Sequence, residues 1–145
     1  MSSIADAILR DFRDRRITYA EFERQMRPWL EIDSRGAGLA IRYRQPIGAQ
    51  VPVGPSDVRR ALAQFAAGEL SEPELTLWAT MLDMLPEFGP GTDVSDEEAD
   101  RLDPMWDVII RVGSPPIFGA LTPETVWDYD AKLQQLESEL TEGAV

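Results

Sequence analysis

The chain has 145 residues, a net charge of −12 and 43% apolar residues, values that suit one globular domain and exclude a disordered segment. It contains no His and no Cys, which excludes a Ser-His-Asp triad, a Cys-His dyad, disulfides and an ordinary zinc site. No apolar run approaches the roughly 18 residues that span a bilayer, and the opening MSSIADAILRDF lacks the basic start and apolar core of a signal peptide, so a cytoplasmic protein is expected.

A first helix is expected from Ser3 to Arg15, with Ile4, Ile8 and Phe12 one turn apart and Ala5 and Leu9 beside them. Thr18 and Glu21 then form a capping box, in which the hydroxyl accepts from a free N–H and the carboxylate reaches back. The helix that follows turns Tyr19, Phe22, Met26 and Leu30 inward. Pro28 kinks or ends it near Arg27, because proline lacks the N–H and clashes with the preceding turn. From Asp33 to Pro55 the pattern changes. Leu39, Ile41 and Tyr43 alternate with Arg42 and Arg44, the period of a strand. Val51 and Val53 offer a return strand that Pro52 confines to a sheet edge. Residues 39–53 therefore read as a small β-hairpin packed on the helices, with an ordered loop as the alternative. Arg35, Arg42 and Arg44 are either a solvated face paired with acids elsewhere or contacts for a phosphate or carboxylate.

Ser56 is expected to cap the third helix, with Val58, Leu62 and Phe65 on its apolar stripe. Gly68-Glu69-Leu70 links it to the fourth, which Ser71 and Glu74 open as a second capping box and Pro73 tolerates in its first turn. Leu75, Trp78, Ala79, Leu82 and Leu85 face inward, and Pro86 ends the helix. Residues 87–92 read as a loop. Ser95 and Glu98 form a third capping box, and Asp103-Pro104 restarts the helix that carries Trp106, Ile109, Ile110 and Val112. Gly113-Ser114-Pro115-Pro116 stops it. Thr122 and Pro123 begin the last helix, with Val126, Tyr129, Leu133, Leu136 and Leu140 on one face and a frayed end from Thr141.

Shifted by 53 residues, Leu9, Phe12, Ile17, Thr18, Glu21 and Phe22 fall on Leu62, Phe65, Leu70, Ser71, Glu74 and Leu75. The fold expected is mainly α: one domain, residues 1–145, as a compact bundle of about six helices. It is built around two similar αα-hairpins, residues 4–30 and 57–85.

Charge is divided along the chain. Residues 1–60 hold 11 Arg and 8 acids, a net of +3, while residues 61–145 carry a net of −15. Such an acidic half repels nucleic acid and anionic membranes and attracts a basic protein over a Debye length of about 8 Å; the alternative is that the charge only maintains solubility. Asp93, Asp96, Glu97, Glu98, Asp100, Asp103 and Asp107 form its densest run. They lack the Gly and Glu positions of a calcium loop, and nothing indicates a cleft for a glycosidase carboxylate pair. A patch docking on a basic protein and a solvated helix face remain as readings. Of the four tryptophans, Trp29, Trp78 and Trp106 read as core. Trp127, flanked by Asp128 and Asp130, is the candidate for an exposed partner anchor.

The stretch LRDFRDRRITYAEF, residues 9–22, resembles the opening hairpin of the colicin D immunity protein family, bacterial proteins that neutralise a co-produced nuclease toxin; residues 65–75 with Trp78-Ala79 are similar to the same hairpin. The resemblance implies an all-helical, non-enzymatic protein with no cofactor, whose acids meet the basic RNA-binding cleft of a toxin. It assigns Phe12, Thr18, Glu21 and Phe22 structural roles and transfers no toxin contact. This chain departs from the family in its greater length, its repeated motif and the segment 39–53. The leading expectation is thus an immunity or inhibitor protein for a basic partner. A helical adaptor or regulator with no toxin partner comes second and a carboxylate-based enzyme third.

Overall fold

The computed structural model describes residues 3–33, 39–89 and 95–143. Six helices of seven residues or more make up its bulk: α1 (Ser3–Arg13), α2 (Tyr19–Gln25), α3 (Pro55–Ala66), α4 (Glu72–Met84), α6 (Asp103–Val112) and α8 (Pro123–Gly143). Two short ones, α5 (Asp96–Asp100) and α7 (Pro115–Phe118), complete the helices of the described residues. The mainly α bundle expected from the sequence is what folds.

The turns of the two hairpins share the same hydrogen bonds. Helix α1 ends with Arg15 N–H donating to the Phe12 carbonyl (3.1 Å) and Arg16 N–H to that of Asp11 (2.8 Å). Helix α3 ends the same way, Gly68 to Phe65 (3.1 Å) and Glu69 to Gln64 (2.9 Å). All four pairs are related by the 53-residue shift. Each is a Schellman cap, which places its C′ residue in the left-handed region: φ is 61° at Arg15 and 78° at Gly68. Gly68 adopts it freely, whereas Arg15 does so at a cost of about 1 kcal/mol. Thr18 Oγ1 and Ser71 Oγ then accept from the N–H of Glu21 (3.2 Å) and Glu74 (3.3 Å) and start the next helix.

The two boxes differ in their carboxylates. Glu21 stays beside Thr18. Glu74 does not reach back to Ser71 as expected: its Oε2 accepts from the N–H of Tyr19 (3.3 Å), the first residue of α2, and pairs with Arg15 (3.5 Å). Glu74 therefore serves the N-terminus of a helix in the other hairpin. The Trp78 indole N–H makes the second tie, donating to the buried Phe12 carbonyl at 3.0 Å. Phe12 itself stacks on Phe22 with centroids 4.1 Å apart.

One core unites both hairpins with α6 and α8. Leu9, Phe12, Phe22, Leu62, Leu75, Trp78, Leu82, Ile109 and Leu133 are all buried in it. Thr80 and Gly113 bring α4 and α6 close, and a Cβ at Gly113 would stand 3.1 Å from Thr80 Oγ1. Some inward assignments are corrected. Ile4 is 66% exposed and Ile110 41%, because helical phase places Ala5, Met105 and Val108 inward instead. Phe65 is only partly buried, at the rim between α3 and the link. Helix α3 is capped at Gly54, not Ser56: its N–H donates to Asp57 Oδ2 (2.9 Å) and Pro55 takes the first helical position. Helix α6 likewise begins one residue early, with Leu102 as its cap.

The strand segment also differs from expectation. Helix α2 ends at Gln25, and Leu30 opens β1 (Leu30–Asp33), which pairs antiparallel with β2 (Ala40–Tyr43) in the register Leu30–Tyr43, Glu31–Arg42. The return strand is thus upstream of β2, not at Val51. Instead β3 (Val51–Pro52) pairs parallel with β4 (Phe88–Gly89), inside the stretch expected as a loop. Arg35 lies outside the described residues.

Two predictions follow from the packing. Leu75→Ala, at a fully buried site, will cost about 2–5 kcal/mol in chemical denaturation, and Phe65→Ala less than the roughly 3 kcal/mol of a fully buried Phe. The second concerns pH. Burial, and next the Glu23 carboxylate, push the Tyr19 hydroxyl up to about 12. Burial and the 2.6 Å bond to Glu87 push Tyr43 up as well. A folded-state value raised above the unfolded value of about 10 means the stability is present below pH 10 and lost as pH climbs toward 12. Unfolding free energy measured from pH 9 to 11.5 will fall, and Tyr19→Phe will flatten the slope.

Candidate functional site

Helix α8 places two different surfaces on its two sides. Toward its N-terminal half it lies against α3. The gap between them is a groove of about 470 Å³, floored by Leu62, Ala63, Ala66 and Val126 and walled by Arg59, Asp130 and Glu137, with Trp127 at its edge. The volume lies in the range of ligand clefts, roughly 300–1,000 Å³. Trp127 is 67% exposed, although Val126 beside it is buried. The difference is helical phase: one residue is a turn of 100°, and Val126 takes the core side.

Arg59 organises the polar wall. Its Nε donates to Asp130 Oδ1 (2.8 Å) and a terminal nitrogen donates to Glu137 Oε2 (3.2 Å). The bond to Asp130, above all, holds its guanidinium more firmly protonated than usual. Asp130 and Glu137 are seven residues apart, two turns of one helix face, so one arginine bridges both. Arg60 also lines the groove, and its guanidinium pairs with Asp57 (3.4 Å) and Asp14 (3.6 Å). Both carboxylates of the groove stand on one wall beside a shared cation. They do not oppose each other across a cleft, as glycoside hydrolysis requires.

The second surface is the acidic one. Asp96, Glu97, Glu98, Asp100, Asp103 and Asp107 are all exposed along α5 and α6; Asp93 lies outside the described residues. Ser95 caps α5 through the Glu98 N–H (3.2 Å), and the acids of the first turn complement the helix dipole. Two acids pair within their helices, Glu97 with Arg101 (3.5 Å) and Asp107 with Arg111 (2.9 Å). Among the described residues no three carboxylates converge as metal ligands would. This surface meets the C-terminal half of α8 at a second cleft, of about 380 Å³, lined by Asp100, Arg101, Pro104, Leu136, Glu139 and Leu140.

The structure therefore separates the residues the sequence grouped. Glu139 is twelve positions beyond Trp127 in the helix, about 18 Å along the axis and about 120° around it. Trp127 and the acidic run can anchor one large partner only at two separate points. Arg59, Asp130 and Glu137 were missed by sequence reasoning. Their pairing spans 71 and 78 positions, and the one local signal was that Asp130 and Glu137 share a face with Val126. Compared with protein-family models, curated proteins and solved structures, the chain matches none.

An exposed tryptophan in a chain of four has a spectroscopic signature. Trp127→Phe will remove the component of intrinsic fluorescence most accessible to acrylamide and shift the remaining emission to shorter wavelength. It will move Tm little, because the ring contributes little burial. Loss of the buried component instead would place Trp127 inside.

Proposed function

We propose that this chain is a non-enzymatic binding protein that inhibits or chaperones a basic protein, most concretely an immunity protein for a nuclease toxin. The observation that carries the reading is Trp127, exposed at the edge of an apolar groove, with Asp128 and Asp130 close to it in the helix. Aromatic anchors next to a pocket are where binding energy concentrates. A tryptophan face among carboxylates favours a cation: an Arg of the partner can stack on the ring and reach an acid at the same time. The acids of α5 and α6 act at longer range. A half-chain of net −15 steers a basic partner and raises its association rate, while the groove sets how long it stays. An inhibitor of this kind needs no reaction. It occupies a basic, anion-binding surface and denies it to the substrate.

Affinity capture from the native host tests this. Immobilised wild type will retain a basic protein, released as salt rises, and the purified partner will lose its activity when the chain is added in equal amount. Trp127→Ala will weaken that complex at least about tenfold, mainly through faster dissociation. Reversing Asp96, Glu97 and Asp100 to Lys will slow association at low salt and leave Tm almost unchanged. A neutral or acidic partner, or affinity indifferent to Trp127, would contradict the reading.

A further inference from the structure

The strongly acidic chain also carries unpaired arginines in and just after α2 and β2. Among the described residues Arg24, Arg27, Arg42 and Arg44 are exposed and make no ion pair, whereas Arg10, Arg13, Arg15, Arg16, Arg59 and Arg60 are all paired. The four sit on adjoining elements. The Arg44 N–H donates to the Trp29 carbonyl (2.8 Å) and the Gln45 side chain to the Pro28 carbonyl (2.7 Å), which fastens the end of β2 to the segment just after Arg27. Arg42 and Arg44 are two residues apart and so share one face of the strand. Glu31 stands opposite Arg42 in the register without pairing to it.

Backbone geometry adds a second, independent feature. The bond from Arg44 to Trp29 fixes the phase of the antiparallel ladder: Arg44, Arg42 and Ala40 direct their N–H and C=O groups at β1. Those of Ile41 and Tyr43 point to the opposite edge. Strand β2 has β1 as its one strand partner among the described residues, and Ala40, Arg42 and Tyr43 are exposed. Tyr43 is pinned from below by its 2.6 Å bond to Glu87, so the edge is held in place. An open strand edge is a template for another strand.

We propose that the outer edge of β2 is a docking site for an extended acidic segment of a partner protein, which adds as a strand through Ile41 and Tyr43 and is selected by Arg42 and Arg44. Strand addition supplies affinity through the main chain and specificity through alternate side chains. Here the alternate side chains of one face are both arginines. A nucleic acid is the poorer occupant. It offers no strand to the edge, and its phosphates would face a chain of net −12. A second copy of this chain is also poorer, since its described acids are concentrated on helices.

The test uses the full chain and a fluorescent heptapeptide of alternating Glu and Val. Its controls are the same peptide with Lys for Glu, the same peptide N-methylated at alternate residues, and single-stranded oligo-dT. The acidic peptide will bind, and Arg42→Glu with Arg44→Glu will weaken it about tenfold or more while circular dichroism stays unchanged. N-methylation will weaken it comparably on the unaltered protein, so the test stands even if the double variant unfolds. Amide exchange will show new protection at Ile41 and Tyr43. Failure of the acidic peptide to bind, tighter binding of the oligonucleotide or the Lys peptide, or unprotected Ile41 and Tyr43 amides would overturn the proposal.

Discussion

The hydrogen bond from the Trp78 indole to the Phe12 carbonyl is the point on which the two hairpins turn. That carbonyl lies at the end of α1 and also accepts from Arg15 in the Schellman cap. Its two lone pairs thus serve the turn of the first hairpin and the fourth helix of the chain together. The site is dry, with Phe12 at 0% and Trp78 at 1% exposure. Losing the indole N–H would leave the carbonyl with the Arg15 bond alone, and a hydrogen bond of this kind contributes about 0.5–1.5 kcal/mol. The indole ring fills the space that the bond defines, so packing and polarity specify the same arrangement.

Glu74 reinforces this from the surface side. The residue belongs to a local motif, and locally it has a cap to complete. It serves instead the part-buried N–H of Tyr19 and the guanidinium of Arg15, whose side chain is 7% exposed. Burial lowers the proton affinity of that guanidinium, and Glu74 opposes the effect. Arg15 also holds the left-handed conformation that glycine supplies in the second copy. The strain at Arg15 and the altered duty of Glu74 are one feature. A glycine would relax the turn and lose the charge that faces Glu74.

Much of this architecture was legible because helix grammar is local. Thr18, Ser71 and Ser95 lie within three residues of the N–H groups they accept from, so their motifs announced the helix starts. The pairings that were missed are not local. Leu30 continues the apolar period of α2, which hid its place in β1, where its partner is Tyr43 of β2. The β3–β4 pair is two residues long and joins Val51 to Phe88. Arg15 gave no sign of a positive φ, since only alignment with Gly68 marks it. The candidate site divides in the same way. Trp127 was visible through its acidic neighbours. Arg59 and its two carboxylates became a wall only when α3 packed on α8.

Native-state amide hydrogen exchange tests most directly whether the two hairpins form one cooperative core. The slowest amides of α1, α2 and α4 should open at the same free energy, that of global unfolding. Trp78→Phe, which keeps an aromatic ring and removes the indole N–H, should lower all three in parallel. If α1 and α2 open at a distinctly lower free energy than α4, or if Trp78→Phe weakens α4 and leaves the first hairpin unchanged, the two copies are separate units and the bond between Trp78 and Phe12 does not join them.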